Sequence, residues 1–175
     1  MENDKNNITS FCWLVGQFLA WIDNQRDTRE GFLVVEDFVD SLPIKIEKDN
    51  FKCFNQGTAL MMCYGLLVYP REIFGKKIKP EELNNYVLES VGENIKDFFE
   101  ISNEIDEEIN TENILRHLRN SISHSKVKID SEKDIFVFKD VNSSEKKFEG
   151  KISGKDLGIL LAVIGRYFTF LEQNS

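Results

Sequence analysis

The stretch "FNQGTALMMCYGLLVYP", residues 54 to 70, limits the fold more than any other, because from Ala59 to Tyr69 it is apolar on nearly every face. A helix without a polar side has no face to give to water, so neighbours must wrap it on all sides. The segment therefore reads as the central rod of a helical bundle. Gly57 and Gly65 would let those neighbours approach closely, and Pro70 would end the rod. Asn55 and Gln56, just before it, read as a cap and turn.

The rest of the chain supplies the wrapping. Ile8, Phe11, Val15, Phe18 and Ile22 recur at three and four residues, the spacing of one helix face, with Thr9 or Ser10 as a candidate cap. "DTREGFLVVEDFVDSLP" opens with Asp27 and Glu30 at capping-box spacing and stops at Pro43, although its Val34–Val35 pair also suits a strand. "KPEELNNYVLESVGENIKDFF" starts a helix at Pro80 with two acids in the first turn, and Leu83, Val87, Val91, Ile95 and Phe98 form its expected buried stripe. A further helix is expected from Asn110 or Thr111 to about Ser125.

After that helix the period changes from helical to two. "IFVF" and "KFEGKI" alternate like strands and are joined by the polar "KDVNSSEK", the pattern of a hairpin. Ser153 and Asp156 would cap a last helix, whose Leu157, Leu160, Leu161, Ile164, Phe168 and Leu171 keep a core spacing. The expectation is a mainly α fold: one domain over residues 1–175, a helical bundle with a small antiparallel β-hairpin before the C-terminal helix.

Composition narrows the function. A net charge of −8 over 175 residues disfavours a protein that coats long stretches of nucleic acid backbone. The charge is uneven, however. Residues 97–112 hold seven acids and no basic side chain, whereas 113–128 hold Arg116, Arg119, Lys126, Lys128 and both histidines, with no acid. A local phosphate contact fits that pattern. The polar, acidic start "MENDKNNITS" does not resemble a secretory leader, and no apolar run is long enough to span a bilayer, so a cytoplasmic protein without membrane association is expected. Cys12, Cys53 and Cys63 sit in apolar patterns without metal-ligand spacing and read as reduced, buried thiols.

The basic stretch is "LRHLRNSISHSKVKI", residues 115 to 129. Advancing about 100° per residue puts Ile114, Leu115, Leu118 and Ile122 on its core face. Asn120 then falls in the middle of the opposite arc, with Arg119 and His124 on its two shoulders about 140° apart. They diverge too far to meet on one helix. Two copies packed across a two-fold axis would bring each arginine towards the other chain's histidine. An imidazole can remove or return a proton near neutral pH, and a guanidinium can hold a phosphate through two parallel hydrogen bonds. The Asn120 amide can orient either the imidazole or the substrate. These are the parts needed for RNA cleavage by the strand's own 2′-hydroxyl, with no metal and no cofactor. His117 and His124 lie two helical turns apart, too far for one zinc, and no Gly-rich phosphate loop or GxSxG motif is present.

"RNSISH" resembles the R-x4–6-H motif of the HEPN superfamily, including the polar residue directly after the arginine. The wider chain resembles a plasmid- and genome-encoded prokaryotic branch of HEPN proteins. "FNQGTALMMCYGLLVYPREIF", "LRNSISHSKVKI", the "IFVFKD" hairpin and the final amphipathic helix carry that resemblance over roughly residues 38–171. It implies a helical, often dimeric protein, and in many members a metal-independent endoribonuclease of toxin–antitoxin, anti-phage or RNA-processing systems that leaves a 2′,3′-cyclic phosphate. By the motif, Arg119 and His124 would be the catalytic pair and Asn120 the intervening polar residue. Outside the motif, Arg116, His117 and Ser123 are candidate substrate contacts, although Arg116 also suits a surface arginine and His117 a solvated or capping imidazole.

The partners implied are RNA, a second copy of the chain, and an antitoxin or regulatory protein. Some HEPN toxins carry a tyrosine two positions beyond the histidine, where an antitoxin modifies it; Lys126 stands there in this chain. Other members have lost activity, so the alternative is a non-catalytic nucleotide- or protein-binding dimerisation module.

Overall fold

The computed structural model describes residues 3–25, 28–42, 55–70, 79–105, 107–143 and 145–173. Among the described residues six α-helices and four strands follow in chain order: α1 (Asn3–Gln25), α2 (Arg29–Ser41), α3 (Gln56–Cys63), α4 (Pro80–Val91), β1 (Glu100–Asn103), α5 (Thr111–Ser123), β2 (Val127–Asp130), β3 (Ile135–Val141), β4 (Lys147–Ser153) and α6 (Gly154–Gln173). The mainly α architecture is as expected.

The apolar rod is the centre of the helical layer. Asn55 caps α3 by accepting from the N–H groups of Gly57 and Thr58, and the helix runs on through a π-helical turn, Tyr64–Val68. Cys63, Leu66, Leu67 and Val68 are buried, but Met61 and Tyr64 are exposed, so the rod is not wrapped on all sides. Gly65 is a close-approach point: a Cβ there would lie 2.4 Å from Sγ of Cys12 on α1. Burial pushes the Cys63 thiol up to about 12, because a thiolate would lose its hydration there. Cys53 lies outside the described residues.

Two helix boundaries differ from the sequence expectations. α1 begins at Asn3, so Thr9 and Ser10 lie inside the helix rather than at its start. α4 stops at Val91, since Gly92 takes the left-handed conformation (φ +79°) and its N–H closes on the Leu88 carbonyl. Ile95 and Phe98 stay buried, but in a separate 3₁₀ turn, Ile95–Phe98, capped by Asn94 and Asp97. α2 forms as a helix despite its paired valines, with Val35 and Val39 buried; Asp27 and Pro43, its expected delimiters, lie outside the described residues.

The hairpin is there, and it belongs to a larger sheet. β3 and β4 pair antiparallel, β2 adds to the far side of β3, and β1 to the far side of β4, giving the order β1-β4-β3-β2. β1 comes from the acidic run, residues 97–112. Its Ile101 is half-buried, and two buried phenylalanines, Phe98 and Phe99, precede it. Gly150 on β4 stands opposite Phe138, and a Cβ there would meet Phe99 at 3.5 Å, so the missing side chain makes room for rings.

One face of the sheet is inward. Phe136, Phe138 and Asp140 alternate into the protein along β3, and Phe148 and Ile152 do so along β4. α5 lies against β3 on one side and against α4 and the π-helical turn on the other. α6, capped by Ser153 and Asp156 as expected, packs against α1 and α4; a Cβ at Gly165 would come within 2.1 Å of the Trp13 ring.

Candidate functional site

Helix α5 starts where Asn110 accepts from the Asn113 N–H. Ile114, Leu115 and Leu118 are buried against the helical layer. The buried arc is wider than the apolar stripe alone, because β3 covers a second side. His117 and Ser121 lie on that second side and are also buried. Ser121 donates to the His117 carbonyl and to the Lys139 carbonyl on β3, which ties helix to strand.

His117 is the principal correction to the sequence reading. It is neither solvated nor a cap: it is 2% exposed. Its ring stacks on Phe148, with centroids 4.3 Å apart and planes 14° from parallel. Nδ1 is hydrogen-bonded with Oδ2 of Asp140 at 2.8 Å, and Nε2 with Oε1 of Glu107, so each ring nitrogen faces a carboxyl oxygen. With both nitrogens engaged and the ring enclosed, His117 has no edge to offer a substrate.

Neither carboxylate was legible as a partner in the sequence. Glu107 belongs to the acidic run, between β1 and α5, and also accepts from Arg116 at 2.5 Å. Arg116 is thus a half-exposed tether for Glu107. Asp140 continues the inward row of β3, where the alternation Phe136, Phe138, Asp140 was the available signal. Its register partner on β4 is Phe148, which explains how one histidine meets both a carboxylate and a ring. Burial opposes ionisation of Asp140. Hydrogen bonds from His117, Asn120 and the Val141 N–H outweigh it and hold the carboxyl below the usual carboxylate range.

Asn120 is likewise not mid-arc in open solvent. It is half-buried, and Nδ2 donates to Asp140 Oδ2 at 2.8 Å, because β3 rises beside this flank of the helix. Arg119 is half-buried on the other flank. His124 is exposed at the C-cap, its backbone N–H bonded to the Asn120 carbonyl at 2.9 Å, and Ser123 beside it is exposed too. Ser125, with φ +53°, turns the chain into β2. Within one chain, Asn120 and His117 meet at a shared carboxylate, while Arg119 and His124 stay on separate sides of the helix.

Among the described residues, no cluster of His, Cys, Asp and Glu is arranged to hold a metal ion, and no helix is long and apolar enough to cross a membrane. No curated protein and no solved structure matches the chain. A family model described as HEPN pEK499 p136 matches residues 1–174. With a helical bundle whose late helix carries "RNSISH", and a family match over nearly its whole length, the chain belongs to the HEPN pEK499 p136 family.

Proposed function

We propose that the chain is a metal-independent endoribonuclease of HEPN type, working as a homodimer in which two α5 helices share a cleft. One observation carries this reading. His124 stands exposed at the end of a helix anchored on two sides, within a segment, residues 113–128, that contains no acid. An accessible imidazole beside Lys126 and Lys128 suits a phosphate-bearing ligand, which the acidic remainder of the chain would repel.

In the proposed reaction His124 takes the proton of a ribose 2′-hydroxyl as its oxygen attacks the neighbouring phosphorus. The bond from phosphorus to the 5′-oxygen breaks, and that oxygen leaves as a hydroxyl after receiving a proton from an imidazolium. Arg119, presented by the other protomer, neutralises the charge that builds on the phosphate. The products are a 2′,3′-cyclic phosphate and a 5′-hydroxyl end. A toxin or defence role would follow from such an activity if it were held in check by a partner protein.

The test is incubation of total RNA with the protein in EDTA, wild type beside Arg119→Ala/His124→Ala, with mapping of the cut ends. Cyclic-phosphate ends from wild type alone support the reading. Intact RNA at high protein concentration, or equal cutting by the double variant, removes it. Binding of RNA without products points to the non-catalytic module instead.

A further inference from the structure

Four side chains lie in sequence from the loop before α5 to its outer flank: Glu107, His117, Asp140 and Asn120. Nothing in the reaction above uses the first three, of which His117 and Asp140 are buried. Their geometry has one directional consequence. The two arms of a carboxamide differ in kind, one a donor and the other an acceptor. Asp140 Oδ2 accepts from the Asn120 Nδ2 arm, and that oxygen is itself fixed by His117, whose ring is clamped by Phe148 and Glu107. The amide therefore cannot turn over without facing its oxygen to a carboxylate. Its acceptor arm is left pointing away from Asp140.

His124 lies one helical turn further on. Its backbone N–H is bonded to the Asn120 carbonyl, so the two side chains leave the helix on one flank, with Cβ atoms roughly 5–6 Å apart. The His124 side chain is exposed, and Nδ1 is its ring nitrogen nearer the helix.

We infer that Asn120 is a positioning residue whose amide oxygen, aimed by the Glu107–His117–Asp140 relay, holds the Nδ1–H of His124 and leaves Nε2 as the atom that accepts a proton. The inference rests on the nuclease reading for its purpose, and it assigns the fixed orientation of one amide to the choice of tautomer at the catalytic imidazole. A histidine without such a partner favours the Nε2–H tautomer, which would leave the proton-accepting atom close to the helix and away from a ligand.

The experiment is nitrogen NMR on histidine-labelled protein, where His117 and His124 give the only side-chain histidine signals. His124 is read at a pH where it is neutral, in wild type, Asn120→Ala and Asp140→Ala. The expected result is a predominantly Nδ1–H tautomer in wild type that reverts to predominantly Nε2–H in both variants. A tautomer mixture in wild type that Asn120→Ala leaves unchanged overturns the inference. Asn120→Ala removes one half-buried amide and decides the matter even if Asp140→Ala fails to fold. The readout does not depend on turnover. A fixed Nδ1–H tautomer in a protein that cuts no RNA supports the positioning role and removes the nuclease, whereas cutting with no tautomer bias does the reverse.

Discussion

Replacing His117 with alanine is expected to cost this protein far more stability than any change at His124. In the folded chain the His117 ring is 2% exposed and is hydrogen-bonded to two carboxyl groups. Its removal leaves Asp140, whose side chain is 9% exposed, short of a charge-assisted hydrogen bond worth about 1.5–3 kcal/mol. Glu107 keeps Arg116 and is 22% exposed, so its loss is smaller. The stack on Phe148 adds about 0.5–1.5 kcal/mol. Together these come to about 2–4.5 kcal/mol. At about 2–4 °C per kcal/mol for a chain of this size, the melting temperature should drop by roughly 4–18 °C. Urea and thermal unfolding followed by circular dichroism at neutral pH measure it, with His124→Ala as a control expected within about 0.5 kcal/mol of wild type. A loss below about 1 kcal/mol for His117→Ala would refute the network as a structural clamp.

Other expectations concern the same packing. Gly165→Ala should destabilise by about 1–3 kcal/mol in chemical denaturation, since its Cβ would run into the Trp13 ring and push α1 off α6. Because the folded state holds the Asp140 carboxyl below its unfolded value, its stabilisation is complete above about pH 4 and is lost as pH falls through the lower folded value. Asp140→Asn should therefore show a shallower acid-induced loss of stability than wild type in urea titrations from pH 2 to about pH 6. Cys63, buried and with its thiol pushed up to about 12, should resist alkylation in the native protein and react once urea unfolds it, as mass spectrometry would record.

The helices were legible because each reports its own periodicity. The caps at Asn55, Asn110 and Ser153, and the core stripes of α5 and α6, follow from short-range spacing that one sequence displays. The polar network did not follow from spacing. His117 meets Asp140 across 23 positions and Glu107 across 10, and a helical wheel says which residues share a face but not what is laid against that face. The wheel of α5 treated everything outside the apolar stripe as solvent-facing, whereas β3 takes the flank carrying His117, Ser121 and Asn120. Asp140 could have been suspected from its inward place in the β3 alternation. Glu107 could not, since nothing in a run of acids separates the one that turns inward from those in water. β1 was missed for a related reason: four residues with a single partly covered isoleucine carry too little alternation to stand out.

The central claim is that one cleft takes its arginine from one chain and its histidine from the other. Mixing Arg119→Ala with His124→Ala protein, each inactive alone, tests this most directly. Heterodimers formed by subunit exchange would contain, in the shared cleft, one Arg119–His124 pair with both groups intact and one with neither, restoring about a quarter of wild-type cleavage in EDTA. That recovery, absent before mixing, is the predicted result. A mixture as inactive as its components, in a sample where exchange into heterodimers has been verified, would contradict the account.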